Sequence, residues 1–556
     1  MTLKQGTFEA REVLKHCGKQ GCPVVGSRAL SQVVPRGQRY GWDLIVHAGI
    51  GRYLKGMQRE EIRVELRELH GINVSHATIS NLCDRFLVAL GTLHEHRVPA
   101  LRAAMKDGYW LHLDATCDLG KGGLFVCLDG WRGWILLAAR VPTENASALQ
   151  PLIEKVVEQF GDPIASVRDL GPAGAKAIKP LRDRGIPDLL CHFHFLAAIG
   201  KKLFDKPYSQ LRNRLRAARI STALRNTLQE LRRYRLTDEY QGNFGPGGVR
   251  DELLALVLWV LEGNGTKGPS FPFALPWLDF FHRCQTAVEQ AESWIPRPRK
   301  APERAVIRLL DHLANKLTQD DAIITAVQQL HESWLPFCEL RDVLRLTTCD
   351  LSLHEDGHVK QVAAPELELF RLQQIESALT NYGIDLRQHL PTVGKKRSGN
   401  SPQAIIVDYL DRYGSGLVGH PSVRDKDGRI LAVVDRTNNN AERCFSGIKQ
   451  RLRRRVGRAL LSRDMDLQPA QVALVQNLLH PDYVQILCGS LDKLPVAFAK
   501  LNALSASSPT KINRGNRWTD VFRCVRILLK QNDHQKADTP AGSPYRPSTP
   551  AHATVS

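Results

Sequence analysis

No apolar stretch in this chain is long enough to cross a bilayer. The longest uninterrupted run, Leu253 to Leu261, reaches about half of the ~20 residues a spanning helix needs. Met1 to Lys15 also lacks the apolar segment of a secretory leader, so neither membrane insertion nor secretion is expected. Cysteine is sparse: twelve residues scattered from Cys17 to Cys524 show no repeated short spacing, which argues against a disulfide scaffold and for a reducing, cytoplasmic compartment. No period of roughly 20 to 50 residues recurs, which leaves a solenoid unsupported. Acidic residues are in deficit, 57 Asp and Glu against 76 Lys and Arg.

That deficit leaves a net charge of +19 and a pI near 9.5, and a polyanion becomes the leading partner, because neutralising phosphates releases counterions. What is present otherwise describes a folded chain. Hydrophobic residues make up 43% and charged residues 24% of 556 positions, a balance that buries cores and suggests roughly three to five domains. After about Leu504 the chain becomes Ser-, Pro- and Thr-rich, and Asp533 to Ser556 has too little apolar content to pack, so the tail, residues 504–556, is expected to be largely disordered.

The order of elements carries more information. Residues 41–100 read as three helices, with Trp42 to Tyr53 the first and Glu60 to Leu69 the second. A turn at His70-Gly71-Ile72 follows, and Ser75 caps a third helix through Ile79, Leu82, Phe86 and Leu90. The pattern resembles a helix-turn-helix, in which Ser75, His76, Thr78 and Asn81 stand early enough on the third helix to reach base edges. From Tyr109 the period switches to strands: Tyr109 to Asp114, Leu124 to Leu128 and Trp134 to Arg140, separated by glycine-rich turns. A helix from Asn145 to Phe160, a strand from Ile164 to Asp169, a further helix, a short strand at Leu189-Leu190 and a helix entered at Cys191 come next. Three antiparallel strands followed by alternating helix and strand predict a ribonuclease-H-like α/β layer over residues 105–202. Residues 203–430 read as a mostly helical insertion, and residues 431–503 as the completion of the layer. Within the insertion, Leu211 to Arg235 is dense in arginine and reads equally as a solvated face or a phosphate-facing one.

Three acids stand out against this frame. Asp114 and Asp169 close the first and fourth strands, which neighbour each other in such a sheet, so both carboxylates emerge at one edge. Glu442 falls in the first turn of a helix begun by the Asn run of DRTNNNAERCFSGIKQRLRRRVGR, whose apolar face is expected to dock on the sheet. That helix continues as a cationic stripe of Lys449, Arg451, Arg453, Arg454, Arg455 and Arg458, suited to a phosphodiester backbone.

Asp114 in HLDAT, Asp169 in VRDLG, the TNNNAE stretch with its Arg-rich continuation, and Cys191 with His194 in CHFHF together resemble a DDE-type transposase of bacterial insertion sequences. The last pair matches the C-x-x-H element of Mutator-like and related families. The 273 residues between Asp169 and Glu442 match the all-helical insertion those families carry. The resemblance spans residues 40–480. It implies metal-dependent cleavage of duplex DNA and transfer of a mobile element's ends, with Asp114, Asp169 and Glu442 holding two Mg²⁺ (or Mn²⁺) ions. It also implies a homodimer or larger assembly on DNA, and a bacterial protein that sits with the nucleoid when bound. A dormant transposase-derived DNA-binding protein and a structure-specific nuclease on the same layer are the alternatives. Zinc is not expected: Cys191 and His194 are two ligands where four are needed, and packing is the simpler role. Cys17 and Cys22, within residues 1–40, look like half of a zinc knuckle, with His47 on a helix surface as the nearest recruit.

Overall fold

A computed structural model describes residues 1–11, 27–35, 37–116, 123–233, 248–263, 271–294, 301–346, 364–390, 392–393, 396–397, 401–458 and 460–506. The possible zinc knuckle at Cys17 and Cys22 and nearly all of the tail lie outside the described residues. A short α1 (Arg28–Val33) precedes α2 (Trp42–Gly49), which loosens into a π turn at Ile50–Leu54. Helix α3 (Arg59–His70) opens on a reciprocal cap between Gln58 and Glu61 and ends where Gly71 takes the left-handed conformation, φ +63°. Ser75 caps α4 (His76–Ala104), its Oγ accepting the Thr78 N–H at 3.2 Å.

Helix α4 does not stop near Leu90. It runs for 29 residues because its apolar row continues through Leu93, Val98 and Leu101, all buried. As a result the N-terminal helices are not set apart by a linker at residue 100. They share one hydrophobic core with the sheet and with the C-terminal helices, from Leu44 and Phe86 through Val126 and Ile153 to Leu474 and Phe498.

The sheet has five strands: β1 (Leu111–Thr116), β2 (Gly123–Asp129), β3 (Ile135–Val141), β4 (Ser166–Arg168) and β5 (Asp188–Leu190). Their order is β3-β2-β1-β4-β5, with β1 to β3 an antiparallel meander and β4 and β5 parallel to β1. A parallel neighbour needs a crossover, and α5 (Ala146–Phe160), capped by Asn145, supplies the one between β3 and β4. Short α6 (Pro172–Ala177) and α7 (Lys179–Asp183) join β4 to β5. The first strand starts two residues later and ends two residues later than its alternation suggests, because Thr116 still pairs with Leu124; Asp114 therefore lies inside the strand.

Beyond β5 the chain is helical over most of its described length: α8 (His192–Ala217), α9 (Ile220–Arg233), α10 (Gly248–Glu262), α11 (Pro276–Trp294), α12 (Ala301–Thr318), α13 (Asp321–Val343), α14 (Pro365–His389) and α15 (Pro402–Tyr413). These helices enclose a second core around Phe204, Leu211, Phe280 and Phe337. Two small hairpins, Thr392–Val393 with Lys396–Arg397 and Ser422–Arg424 with Ile430–Val433, interrupt them. The second hairpin lays Val423, Ala432 and the following Val434 against Trp110, Val167 and Leu189 of the sheet. Helix α16 (Asn439–Val456) then returns to β1. The architecture is mixed α/β, and among the described residues no helix is long and apolar enough to cross a membrane.

Candidate active site

Side chains alternate along a strand, so Trp110, His112 and Asp114 point to one side of β1. The β1–β4 register pairs Leu111 with Ser166 and His112 with Val167; two residues further along, Asp114 stands beside Asp169, the first residue past β4. Asp169 is held in a turn, its Oδ1 accepting the Gly171 N–H at 3.0 Å. Its backbone is braced by the buried Arg168, which donates to the Asp169 carbonyl at 2.7 Å and forks onto both oxygens of Asp188 at 2.9 Å. Asp114 accepts the Ala115 N–H at 2.8 Å.

The third acid arrives on α16, whose start is tied to the sheet by Asn438. This residue is fully buried; its N–H donates to the Cys191 Sγ at 3.3 Å and its Nδ2 to the Leu113 carbonyl at 3.2 Å. With Nδ2 so engaged, the Asn438 Oδ1 accepts from the His112 Nδ1 at 2.6 Å. On its other side the His112 Nε2 lies 3.1 Å from the Asp435 Oδ2, which also accepts from Trp110 Nε1 at 3.2 Å and Asn440 Nδ2 at 3.3 Å. Position 130 must be glycine here, since a Cβ would sit 2.0 Å from the Trp110 Nε1 and 2.3 Å from the His112 ring. The strand that carries Asp114 and the helix that carries Glu442 are thus locked through one polar cluster.

The electrostatics follow from this convergence. Burial pushes the Asp114 carboxyl up to about 7, and the nearby charges of Asp169, Glu442 and Glu144 push in the same direction. Glu144, in the loop between β3 and α5, is itself raised by burial and by Asp169. His194 faces these acids, its Nε2 3.5 Å from the Glu442 Oε1. Four carboxylates from four segments present hard oxygen donors and a surplus of negative charge, the donor set that suits Mg²⁺ or Mn²⁺. Among the described residues no three His, Cys, Asp or Glu side chains already converge at ligand distance, so ion binding would have to draw the carboxylates together.

Cys191 and His194 act on different partners. The thiol caps the Asn438 N–H and is pushed up to about 11 by burial, while the imidazole faces Glu442. Both therefore hold the start of α16. His47 sits on α2, 3.6 Å from the Glu65 carboxylate, and burial lowers its pKa.

The residues expected to meet DNA fall into two groups. On α4, Ser75 and Thr78 are occupied in the helix cap, His76 lies 2.6 Å from the Glu60 Oε2, and Asn81 is exposed. On α16, Arg451 donates to the Leu54 carbonyl at 2.8 Å, Arg454 to the Lys55 carbonyl at 3.1 Å, and Arg455 lies buried over the Tyr53 ring. Arg451 and Arg454 cap the carbonyl end of the α2 segment, which attracts positive charge, while Arg455 stacks on its Tyr53 ring. Lys449 is part-buried; Arg453 is exposed, and Arg458 pairs with Asp464 at 3.6 Å. The stripe is consequently shared between an internal joint and the surface.

His112, Glu144, Asn438 and Asn440 escape a reading of the sequence as site residues. Glu144 lies in a loop without periodicity, and its only signal is an acid just past a strand end. Asn438 reads as one of three equivalent asparagines. A scan against protein families finds no match for this chain, and a search of curated proteins finds no similar sequence.

Proposed function

We propose that this chain is a DDE-type DNA transposase that cleaves and joins the ends of a mobile element on a ribonuclease-H-like core. The observation that carries the reading is that Asp169 and Glu442, in segments up to more than three hundred residues away in sequence, lie near enough to the part-buried Asp114 for their charges to help raise its carboxyl to about 7. The strand order, a three-stranded meander followed by two parallel strands, supports the core assignment. The long helical segment between Asp169 and Glu442 and the three helices before the sheet support the family.

In this reading Asp114, Asp169 and Glu442 would hold two divalent ions, with Glu144 as a fourth carboxylate beside them. The ions so held would supply activation of a water or a DNA 3′-hydroxyl and charge neutralisation at the leaving oxygen of the scissile phosphate. Asp114 must lose its proton to become a ligand, so its raised pKa couples site assembly to pH. Asn438, His112 and Cys191 keep the first turn of α16 at a fixed distance from β1. His194 limits the freedom of the Glu442 carboxylate. Exposed Arg453, Arg458 and Asn81 are the proposed DNA contacts.

The test uses the full-length protein, Mg²⁺ or Mn²⁺, and duplex DNA carrying the sequences that flank its own reading frame. Strand cleavage followed by joining to a second duplex is expected, with both steps lost in Glu442→Gln while DNA affinity stays near that of the parent. Cleavage without joining would identify a nuclease instead. Retained activity in Glu442→Gln would remove that residue from the site.

A further inference from the structure

The helical part of the chain contains a concave, cationic pocket remote in sequence from the carboxylates, and we infer that it binds a backbone phosphate of duplex DNA. This inference rests on the transposase reading and adds a second contact surface to it. The pocket forms where four helix ends meet: the end of α8, the start of α9, the end of α12 and the start of α13. Its volume is about 600 Å³, and its walls carry Arg214, Arg219, Lys316, His312, Asn226 and Asp320.

Three permanent cations there face one carboxylate. Asp320 is largely engaged already, its Oδ1 accepting the N–H groups of Ala322 and Ile323 at 3.0 and 3.3 Å, and its contact with Arg214 is a loose 3.9 Å. Arg219 and Lys316 are exposed. The His312 Nε2 donates to the Ala218 carbonyl at 3.1 Å, which fixes the ring at the pocket wall. Arg219 holds φ at +52°, a left-handed conformation that a residue with a long side chain rarely adopts. Strained positions of this kind are enriched at ligand sites, and Arg219 lies on the pocket wall. A stable helix junction would have been served better by glycine or asparagine at this position.

The occupant that fits is a phosphodiester. Arginine and lysine meet it with charge-assisted hydrogen bonds, and Asn226 adds a neutral donor. An open, solvent-facing pocket suits one link of a continuous backbone, which must enter and leave it. The contact carries no sequence information, so it serves to anchor the helical domain on DNA.

The experiment compares the full-length protein with the double variant Arg219→Asn, Lys316→Gln. Asparagine tolerates the left-handed conformation, so the fold is retained, and an unchanged melting temperature verifies this. Affinity is titrated against salt on element-end and scrambled duplexes, and Lys316 acetylation is measured with and without duplex. The log–log salt slope is expected to become shallower by about 1 to 2 in the variant, equally on both duplexes, and duplex is expected to protect Lys316 in the parent. An unchanged slope overturns the pocket while leaving the proposed function standing. Protection by inorganic phosphate but not by duplex would make it a small-anion site and overturn it likewise. A parent protein that binds no duplex at all would overturn the transposase reading itself.

Discussion

Asp114 is a residue whose chemistry depends strongly on its surroundings. Its pKa is raised from 3.8 to about 7, so between those values the folded protein holds a proton that the unfolded chain has released. Stability contributed through this group therefore falls as pH rises across that window and is constant outside it. Without metal, Asp114→Asn is expected to stabilise the protein at pH 8 by about 1–3 kcal/mol, with little effect at pH 4, as measured by urea unfolding. The same substitution should abolish any thermal stabilisation by Mg²⁺. Parent protein should gain that stabilisation only as pH rises through about 7, because proton and ion compete for one carboxylate. Asn438 makes a second residue-scale case. Asn438→Ala removes the partners of the His112 Nδ1 and the Leu113 carbonyl, both buried, and is expected to cost about 2–4 kcal/mol. A loss below about 0.5 kcal/mol in urea unfolding would show that the polar clamp does not hold β1 to α16.

Elements show which contacts are interchangeable. The start of α16 rests on the thiol of Cys191, which precedes α8, and the imidazole of His194 in its first turn, and these two groups touch different atoms. Cys191→Ser should be mild, since a hydroxyl can still accept the Asn438 N–H. Cys191→Ala with His194→Ala should lower the melting temperature and any strand-transfer rate together. Metal content by elemental analysis is expected to be the same in parent and double variant; one stoichiometric zinc lost on substitution would reveal a metal site. Helix α4 gives a sharper lesson about design. Deleting residues 1–100 looks from the sequence like the removal of a separate recognition module, yet it would strip Phe86, Leu90 and Leu93 out of the core shared with the sheet. The truncated chain is expected to lose its cooperative unfolding transition. Recognition by α4 is better examined with Asn81→Ala, which should lower the preference for element ends by about 1–3 kcal/mol without altering the salt slope.

At the scale of the whole molecule, the candidate site lies where the cores meet. The large core carries Leu113 and Cys444, the helical core begins at Leu190, and the small core contains Trp110 and Val434. A site built at such a junction needs every segment in place before its carboxylates come together. The charge follows the same division: part of the basic excess is spent internally, as with Arg455 against Tyr53 and Arg168 against Asp188, and part lines the surface. The basic residues behind the net charge of +19 are therefore not all presented at the surface.

Local pattern was enough to specify much of this protein. Alternation placed the meander, helical spacing placed the buried rows of α4 and α16, and Ser75 marked the start of α4, because these features depend on neighbours a few positions away; the cap of α5, expected near Thr143, is instead Asn145. The sequence likewise singled out Asp114, Asp169 and Glu442 by residue type and position on their elements. Tertiary structure alone decided what each side chain faces. His112 meets Asp435 across 323 residues, Arg451 meets Leu54 across 397, and Glu144 joins the acids from a loop with no period of its own. No local rule carries that information, since a charge on a helix face has the same pattern whether water, a helix terminus or a phosphate lies opposite.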